Sequence, residues 1–438
     1  MFAAQGRALR LLSQAKIQHN LCHLGAVLIR GKLDSSAFNP LNKTAGQRTA
    51  STATCAAEQS FEQRAGTTSD ETIDVLRREN KLLRSELAEL RWPQLHSFQA
   101  RGRHYPLPWH PPAKSSVALS KADLQYLSGV FDGDGCALGC ASRSTCMLSM
   151  TQSYDHAEVL LLFQDSFGGS ICSKRNSGTG LTKPTLQWQV YGAKARLAAR
   201  DLSPHSSTKR SQLELIADWP NDPLQRIESD KKLRLLKTQD SAAEFRCSWG
   251  YCAGFLDADG CIWLSPTGSV FVQFSQKYPT VLEHIRNFMA EQAGVTAKTY
   301  QCNANLFTLR ITKDSDSKRV LKCMLDAGLR RKAVQASLVV SSTHESVGHV
   351  REAFARCVGN QNFGKRLDED GIARSVRITN LQMRVRYWKQ KGQTEKAATV
   401  SKEIQVLQCK HRFLKAQLEN RQLLEYREML QHLQFNSW

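Results

Sequence analysis

The 13 cysteines of this 438-residue chain include no Cys-x-x-Cys pair, so their spacing offers neither a structural zinc site nor a disulfide framework. They read as reduced thiols of an intracellular protein. No run of 18 apolar residues occurs, since Arg30 and Lys32 interrupt the most apolar stretch near the start, and no membrane span is expected. Acids are missing from the first 33 residues, which hold Arg7, Arg10, Lys16, Arg30 and Lys32. Followed by a Ser/Thr/Ala-rich stretch at 51–57, this leader has the composition of an organelle transit peptide. The expected location is therefore the mitochondrion or chloroplast of a nuclear-encoded protein, with the nucleus as the alternative. Acidic charge is scarce throughout: 40 Asp and Glu face 60 Lys and Arg, and the +20 that remains points to a polyanionic partner such as nucleic acid.

Ile73, Leu76, Leu83, Leu87 and Leu90, with Asn80 at the remaining heptad core position, form a leucine-zipper pattern in which a buried Asn favours two strands. It is too short to be stable alone. Two partners are open to it: a second copy, giving a coiled-coil dimer through 73–90, or the chain's own residues. No continuous basic region joins these heptads, which excludes a zipper-type DNA-binding regulator. Pro93, Pro106, Pro108, Pro111 and Pro112 then mark a stiff linker. At the other end, 374–438 carries 13 Lys and Arg against 5 acids and divides into two helices near Gly392. This extension is either a solvated or core-lying helical tail or a nucleic-acid contact. The expected organisation is a leader (1–66), a short coiled-coil helix (67–92), a Pro-rich linker (93–116), a first repeat (117–220), an inter-repeat linker (221–246), a second repeat (247–350) and a basic helical extension (351–438).

The repeats carry the argument. Leu127-Ser-Gly-Val-Phe-Asp-Gly-Asp-Gly135 and Cys252-Ala-Gly-Phe-Leu-Asp-Ala-Asp-Gly260 share the pattern x-small-Gly-apolar-apolar-Asp-small-Asp-Gly. Gln152 follows Asp134 by 18 residues and Gln276 follows Asp259 by 17; Lys209 and Lys332 come 57 and 56 residues later, each three before a further Gln, Gln212 and Gln335. Landmarks repeating at offsets of 125, 124 and 123 residues identify an internal duplication. Each copy opens with a helix (122–131; 249–256) that ends in Asp-x-Asp-Gly, where Gly is suited to a left-handed helix stop. Two strands follow; in the second copy Val270, Val272 and Phe274 alternate with Phe271, Gln273 and Ser275. A helix (156–167; 281–292), two more strands (including 186–191 and 306–312) and further helices complete the unit. The order αββαββα predicts an α+β fold in which a four-stranded antiparallel sheet has helices on one face and leaves the other open.

These residues resemble the LAGLIDADG homing endonucleases over about 220 residues, as the two-motif, single-chain type. The resemblance implies that the motif helices lie side by side at a pseudo-twofold axis, with Ser128, Gly129, Ala253 and Gly254 permitting close approach. It implies a site-specific double-strand DNA endonuclease with Mg²⁺ as cofactor, bound by Asp134 and Asp259. Asp132 and Asp257 would support the motif turn. Gln152 and Gln276 match the position near the metal-bound water, and Lys209 and Lys332 match the basic residue that polarises water or offsets phosphate charge, with Arg210 and Arg331 as fallbacks. The two open sheets would form a saddle along duplex DNA, reading base edges with Gln187, Gln189 and Tyr191 in one copy and Thr308, Arg310 and Thr312 in the other. Which strand parity faces outward is open, since Leu186 and Trp188 are either core or exposed. The loop 176–184, with Lys183, suits phosphate contact. The family pattern is not fully kept: Cys252 stands where Leu is usual, and Phe131 precedes the first pair of acids. The alternative function is an organellar splicing maturase that binds intron RNA on the same saddle without cutting.

Overall fold

The computed structural model describes residues 70–111, 119–142, 144–174, 178–265, 268–343, 346–357 and 367–435. The transit-like leader 1–66 and part of the 176–184 loop lie outside them. The described chain divides into two compact units, a helical one built from 70–93, 178–182 and 367–435, and a larger α+β one built from the residues between.

The chain begins with α1 (Asp70–Glu89) of the helical unit. The Pro-rich stretch that follows is not an open spacer. It carries a hairpin of β1 (Ser97–Ala100) and β2 (Arg103–Pro106), whose Phe98 and Ala100 are buried in the core of the larger unit. Burial of Phe98 against Tyr105, stacked 5.1 Å away, offsets the cost of ordering a chain that proline had already stiffened.

The first repeat runs α2 (Lys121–Asp134), β3 (Gly135–Gly139), β4 (Cys146–Ser153), α3 (Glu158–Phe167), β5 (Ser170–Ser173), β6 (Thr185–Tyr191), α4 (Gly192–Leu202) and α5 (Arg210–Ala217). Joined to it by α6 (Pro223–Leu236), the second repeat runs α7 (Trp249–Asp259), β7 (Gly260–Leu264), β8 (Val270–Gln276), α8 (Thr280–Ala293), β9 (Lys298–Asn303), β10 (Leu306–Ile311), α9 (Asp314–Asp326), α10 (Ala333–Val340) and α11 (Val347–Cys357). Both sheets are fully antiparallel, and their orders correspond: β3-β4-β6-β5 and β7-β8-β10-β9. The predicted αββαββα order and fold class are what the chain adopts. The open parity question is also resolved. Leu186, Trp188 and Val190 are buried with Val270, Val272 and Phe274 in one shared core, which leaves Gln187, Gln189 and Tyr191 on the outer face.

The two motif helices start by the same device. Ser120 and Ser248 each accept a hydrogen bond from the backbone N–H three residues on, a side-chain N-cap. At their other ends the expected left-handed glycine is absent: Gly135 (φ −74°) and Gly260 (φ −93°) are extended and lead straight into β3 and β7. Glycine is required there for space, because a Cβ would fall 2.4 Å from the Phe131 ring and 2.3 Å from Leu256.

Between the helices, glycine removes a backbone clash. A Cβ on Gly129 would lie 2.2 Å from the Tyr251 carbonyl oxygen, and one on Gly254 would lie 2.0 Å from that of Tyr126. Neither contact can be relieved by a side-chain turn. Gly254→Ala is therefore expected to lower unfolding free energy by at least about 2 kcal/mol through forced helix separation. Urea denaturation checks it, and a loss under about 0.5 kcal/mol, the range of neutral surface changes, would show that the helices part easily.

In the helical unit α1 lies with α12 (Glu369–Gln390) and α13 (Thr394–Phe435), which separate at the expected position. The zipper stripe of α1 is buried against the chain's own α13 and not left for a second copy. Leu83 and Leu87 share a cluster with Leu423, Tyr426 and Leu430, while Asn80 Nδ2 donates to the Ala416 carbonyl at 2.9 Å and Arg84 pairs with Glu419 at 2.8 Å. The buried Asn thus selects an intramolecular register. Residues 178–182 belong to this unit as well: Trp92 Nε1 donates to the Gly180 carbonyl at 2.9 Å, and the Tyr426 hydroxyl donates to it at 3.2 Å.

Candidate active site

The side-by-side helices α2 and α7 bring their carboxyl ends, and with them the last acid of each motif, to one place. An ideal Cβ on Gly133 would lie 3.2 Å from Asp259 Oδ2 and 2.4 Å from the Ala258 Cβ, so the first motif's turn abuts the second motif's acid. Arg331 joins the two from the other direction. Its Nη1 donates to the Asp257 carbonyl at 3.0 Å and stands 3.9 Å from Asp134 Oδ2.

Each acid is held by its strand-end glutamine. In β4 the core-side stripe Leu148, Met150 continues to Gln152, and in β8 Val270, Val272, Phe274 continues to Gln276. The strand period of two therefore delivers an amide under each helix end. Gln152 Nε2 donates to Asp134 Oδ2 at 2.5 Å, and Gln276 Nε2 donates to Asp259 Oδ2. Both carboxylates keep partial exposure. A carboxylate that is fixed in this way and partly exposed is oriented to accept from a water or to ligate a cation.

The lysines occupy positions different in emphasis from those expected. Lys209 Nζ donates to the carbonyls of Phe131 (2.8 Å), Asp132 (2.5 Å) and Gly133 (3.1 Å), and Lys332 Nζ to those of Leu256 (2.6 Å) and Asp257 (2.8 Å). Each caps the last turn of its motif helix, where a cation meets unpaired carbonyls and the negative end of the helix dipole. Enclosure pulls the Lys209 ammonium below the usual lysine value, opposed by the charges of Asp132, Asp259 and Asp134.

Asp132 and Asp257, buried at 1% exposure each, do the turn-supporting work expected of them, but over a longer reach. Asp132 accepts from the amides of Ser207 (2.7 Å), Thr208 (3.0 Å) and Lys209 (3.0 Å) and from the Ser206 hydroxyl. Asp257 accepts from the amides of Arg330 (3.0 Å), Arg331 (2.9 Å) and Lys332 (2.8 Å). Each first acid thus pins the loop that carries its own repeat's lysine. Each also accepts a hydroxyl from the opposite motif helix: Tyr251 to Asp132 and Tyr126 to Asp257, both at 2.7 Å. Burial and the facing carboxylate drive both phenols well above the ordinary tyrosine value, so they remain donors. Sequence reading missed these tyrosines, although they repeat at the same offset of 125 and stand one residue before the nine-residue motif.

Among the groove candidates, Gln187, Gln189 and Tyr191 are on the outer face, with the Tyr191 hydroxyl donating to Gln189 Oε1 at 2.9 Å. Arg310 is exposed, and its Nη2 and Nε donate to Gln273 Oε1 at 2.9 and 3.2 Å. Thr312 is exposed just beyond β10. Two expectations fail. Thr308 is 1% exposed and bonded to Ser275 Oγ at 3.2 Å, because its neighbours on β8 and β9 cover a side chain this short. Lys183 is 7% exposed and its ammonium is paired with Asp155 at 2.8 Å instead of standing out for a phosphate, and residues 178–182 of the same loop are held by backbone hydrogen bonds within the helical unit. Trp263, 62% exposed on β7, and Lys298, paired in register with Arg310, extend the outer face beyond the residues singled out from sequence. Among the described residues no group of three or more His, Cys, Asp or Glu gathers in a closed metal cage, and no helix is long and apolar enough to cross a membrane.

No family model matches the chain, and no curated protein matches it in sequence. Solved structures similar to it include the LAGLIDADG meganuclease I-AabMI bound to uncleaved DNA (15% identity, 53% of this chain and 98% of that one, TM-score 0.41). Others are the homing endonuclease I-SmaMI bound to cleaved DNA (13%, 55% and 98%, 0.38) and I-GzeII in complex with its DNA target (9%, 56% and 98%, 0.38). From its own residues, the chain has an α+β fold of two corresponding αββαββα repeats whose motif helices bring two glutamine-held aspartates together.

Proposed function

We propose that this chain is a site-specific double-strand DNA endonuclease that hydrolyses phosphodiesters with a divalent metal, Mg²⁺ by preference. The single observation that carries the reading is the pair Asp134 and Asp259, each oriented by a strand-end glutamine at the meeting point of two duplicated helices. Mg²⁺ is bound through one or two protein carboxylates and completes its shell with water and substrate phosphate. Two partly exposed carboxylates, with no third acidic ligand among the described residues, fit that habit and do not fit a closed zinc site. When bound, such a cation activates water and stabilises the leaving oxygen.

The protein's own part is positional. Gln152 and Gln276 fix the carboxylates, and Asp132 and Asp257 fix the loops of Lys209 and Lys332. Lys209 and Lys332 spend their ammonium groups on the last carbonyls of the motif helices instead of reaching out to a phosphate. Because both motifs lie in one chain, one copy supplies both halves of the site. Duplex DNA would lie along the outer sheet faces, read by Gln187, Gln189, Tyr191, Arg310 and Thr312.

Arg310 is held in a plane by Gln273, the preorganisation that bidentate recognition of guanine uses. Arg310→Ala is expected to weaken target binding by about 1–3 kcal/mol and to relax preference at one base pair. Selection of cleaved sites from a randomised duplex library with Mg²⁺, for wild type and variant, tests both this and the activity. Absence of any cut duplex, together with tighter binding to structured RNA at equal salt, would replace this reading by a splicing maturase.

A further inference from the structure

Between residues 371 and 393 the chain has six Lys and Arg and no acid, and this stretch is most of α12. The helix buries Ile378 and Leu381 with Ile404 of α13. Helical periodicity then turns Val376, Asn380, Met383, Tyr387 and Lys391 to the opposite side, flanked by Arg384 and Arg386. Val376, Met383 and Tyr387 are 47, 55 and 51% exposed. Arg377 is paired with Glu403 at 2.9 Å and Arg374 stands 3.9 Å from Asp368. Arg384, Arg386, Lys389 and Lys391 make no ion pair among the described residues. Beside them the Tyr387 ring meets Trp388 edge-on at 5.0 Å, and Lys396 Nζ sits 4.9 Å from the Trp388 centroid.

We infer that the outer face of α12 is a second nucleic-acid-binding surface, one that takes a single strand by phosphate contact and by stacking of an unpaired base on Tyr387. None of its residues belongs to the carboxylate site, so the inference does not rest on the cleavage reading. A patch of unpaired cations with no acid is complementary to a polyanion and repels a second copy of itself. An exposed aromatic among them is the arrangement that binds unpaired bases without regard to sequence, whereas a duplex keeps its bases stacked and offers Tyr387 no face. Three apolar side chains separated by Asn380 are too few to seat the helix in a lipid surface.

The test uses the full chain with a labelled 20-nucleotide dT strand, the same length of rU, a duplex of arbitrary sequence, and phosphatidylserine vesicles. Charge reversal of Arg384, Arg386 and Lys391 together should weaken binding of both single strands by tenfold or more. Loss of three phosphate contacts should also flatten the log–log salt slope by about 2. Tyr387→Ala should weaken single-strand binding roughly tenfold without changing that slope, and Tyr387→Phe should restore it. All four positions are exposed, so circular dichroism and urea midpoints should stay at wild-type values. Unchanged single-strand affinity in both variants overturns the inference. So does an equal loss on duplex in Tyr387→Ala, which would exclude stacking, or loss confined to vesicles, which would make the face a lipid contact. A wild-type dimer that charge reversal converts to monomer would also overturn it by showing that the face meets a second copy.

Discussion

Asp134→Asn and Asp259→Asn are each expected to abolish double-strand cleavage while leaving target binding within about twofold of wild type. The substitution keeps the side chain's shape and its contact with Gln152 or Gln276 but removes the charge that would hold a divalent cation. Loss of a single electrostatic stabiliser in a preorganised site already costs about 10²–10³ in rate, and a metal ligand is a larger loss, so linear product from a supercoiled target plasmid should fall at least 10³-fold. Affinity should hold because neither acid is placed to read bases, and losing a negative charge beside DNA does not weaken phosphate contact. The two losses should be comparable, since the carboxylates converge at one point across Gly133 and Ala258. Normal cutting by either variant would remove the site assignment. Loss of cutting with an equal loss of affinity would show that the acids organise the groove instead.

The largest loss of stability is expected from Asp132→Ala. That carboxylate is buried and accepts three backbone amides, the Ser206 hydroxyl and the Tyr251 phenol. Truncation leaves those donors buried without a partner, and removing one member of a buried charged network costs about 3–5 kcal/mol. Tyr251→Phe removes one hydrogen bond and leaves the amides satisfied, so it should cost only about 1–1.5 kcal/mol. Urea unfolding of the two variants separates the cases. If Asp132→Ala lost less than about 1 kcal/mol, the carboxylate would not be what holds the Lys209 loop. Cleavage should decline with Asp132→Ala even where the protein stays folded, because Lys209, whose ammonium caps the helix end that carries Asp134, rides on that loop.

The sequence by itself determined the duplication, the αββαββα order, the motif helices and the glutamines at the strand ends. All of these are written in local periodicity: 3.6 along the helices, two along the strands, and about 124 between the copies. It also contained Tyr126 and Tyr251 at the repeat offset, yet nothing local distinguishes a tyrosine that crosses to the other repeat from one that fills its own core. Only the tertiary structure decided what depends on a partner distant in the chain. It turned Lys183, in the loop before β6, to Asp155, and it covered Thr308 on β10 with its cross-strand neighbours, Ser275 among them. The zipper was settled in the same way. A heptad stripe specifies that a helix will be covered but not by what, and α13 of the same chain covers it, with Asn80 bonded to Ala416 336 residues away. The carboxylate pair itself is of this kind: Asp134 and Asp259 are 125 residues apart, and only the glycine-permitted contact of two helix backbones brings them together.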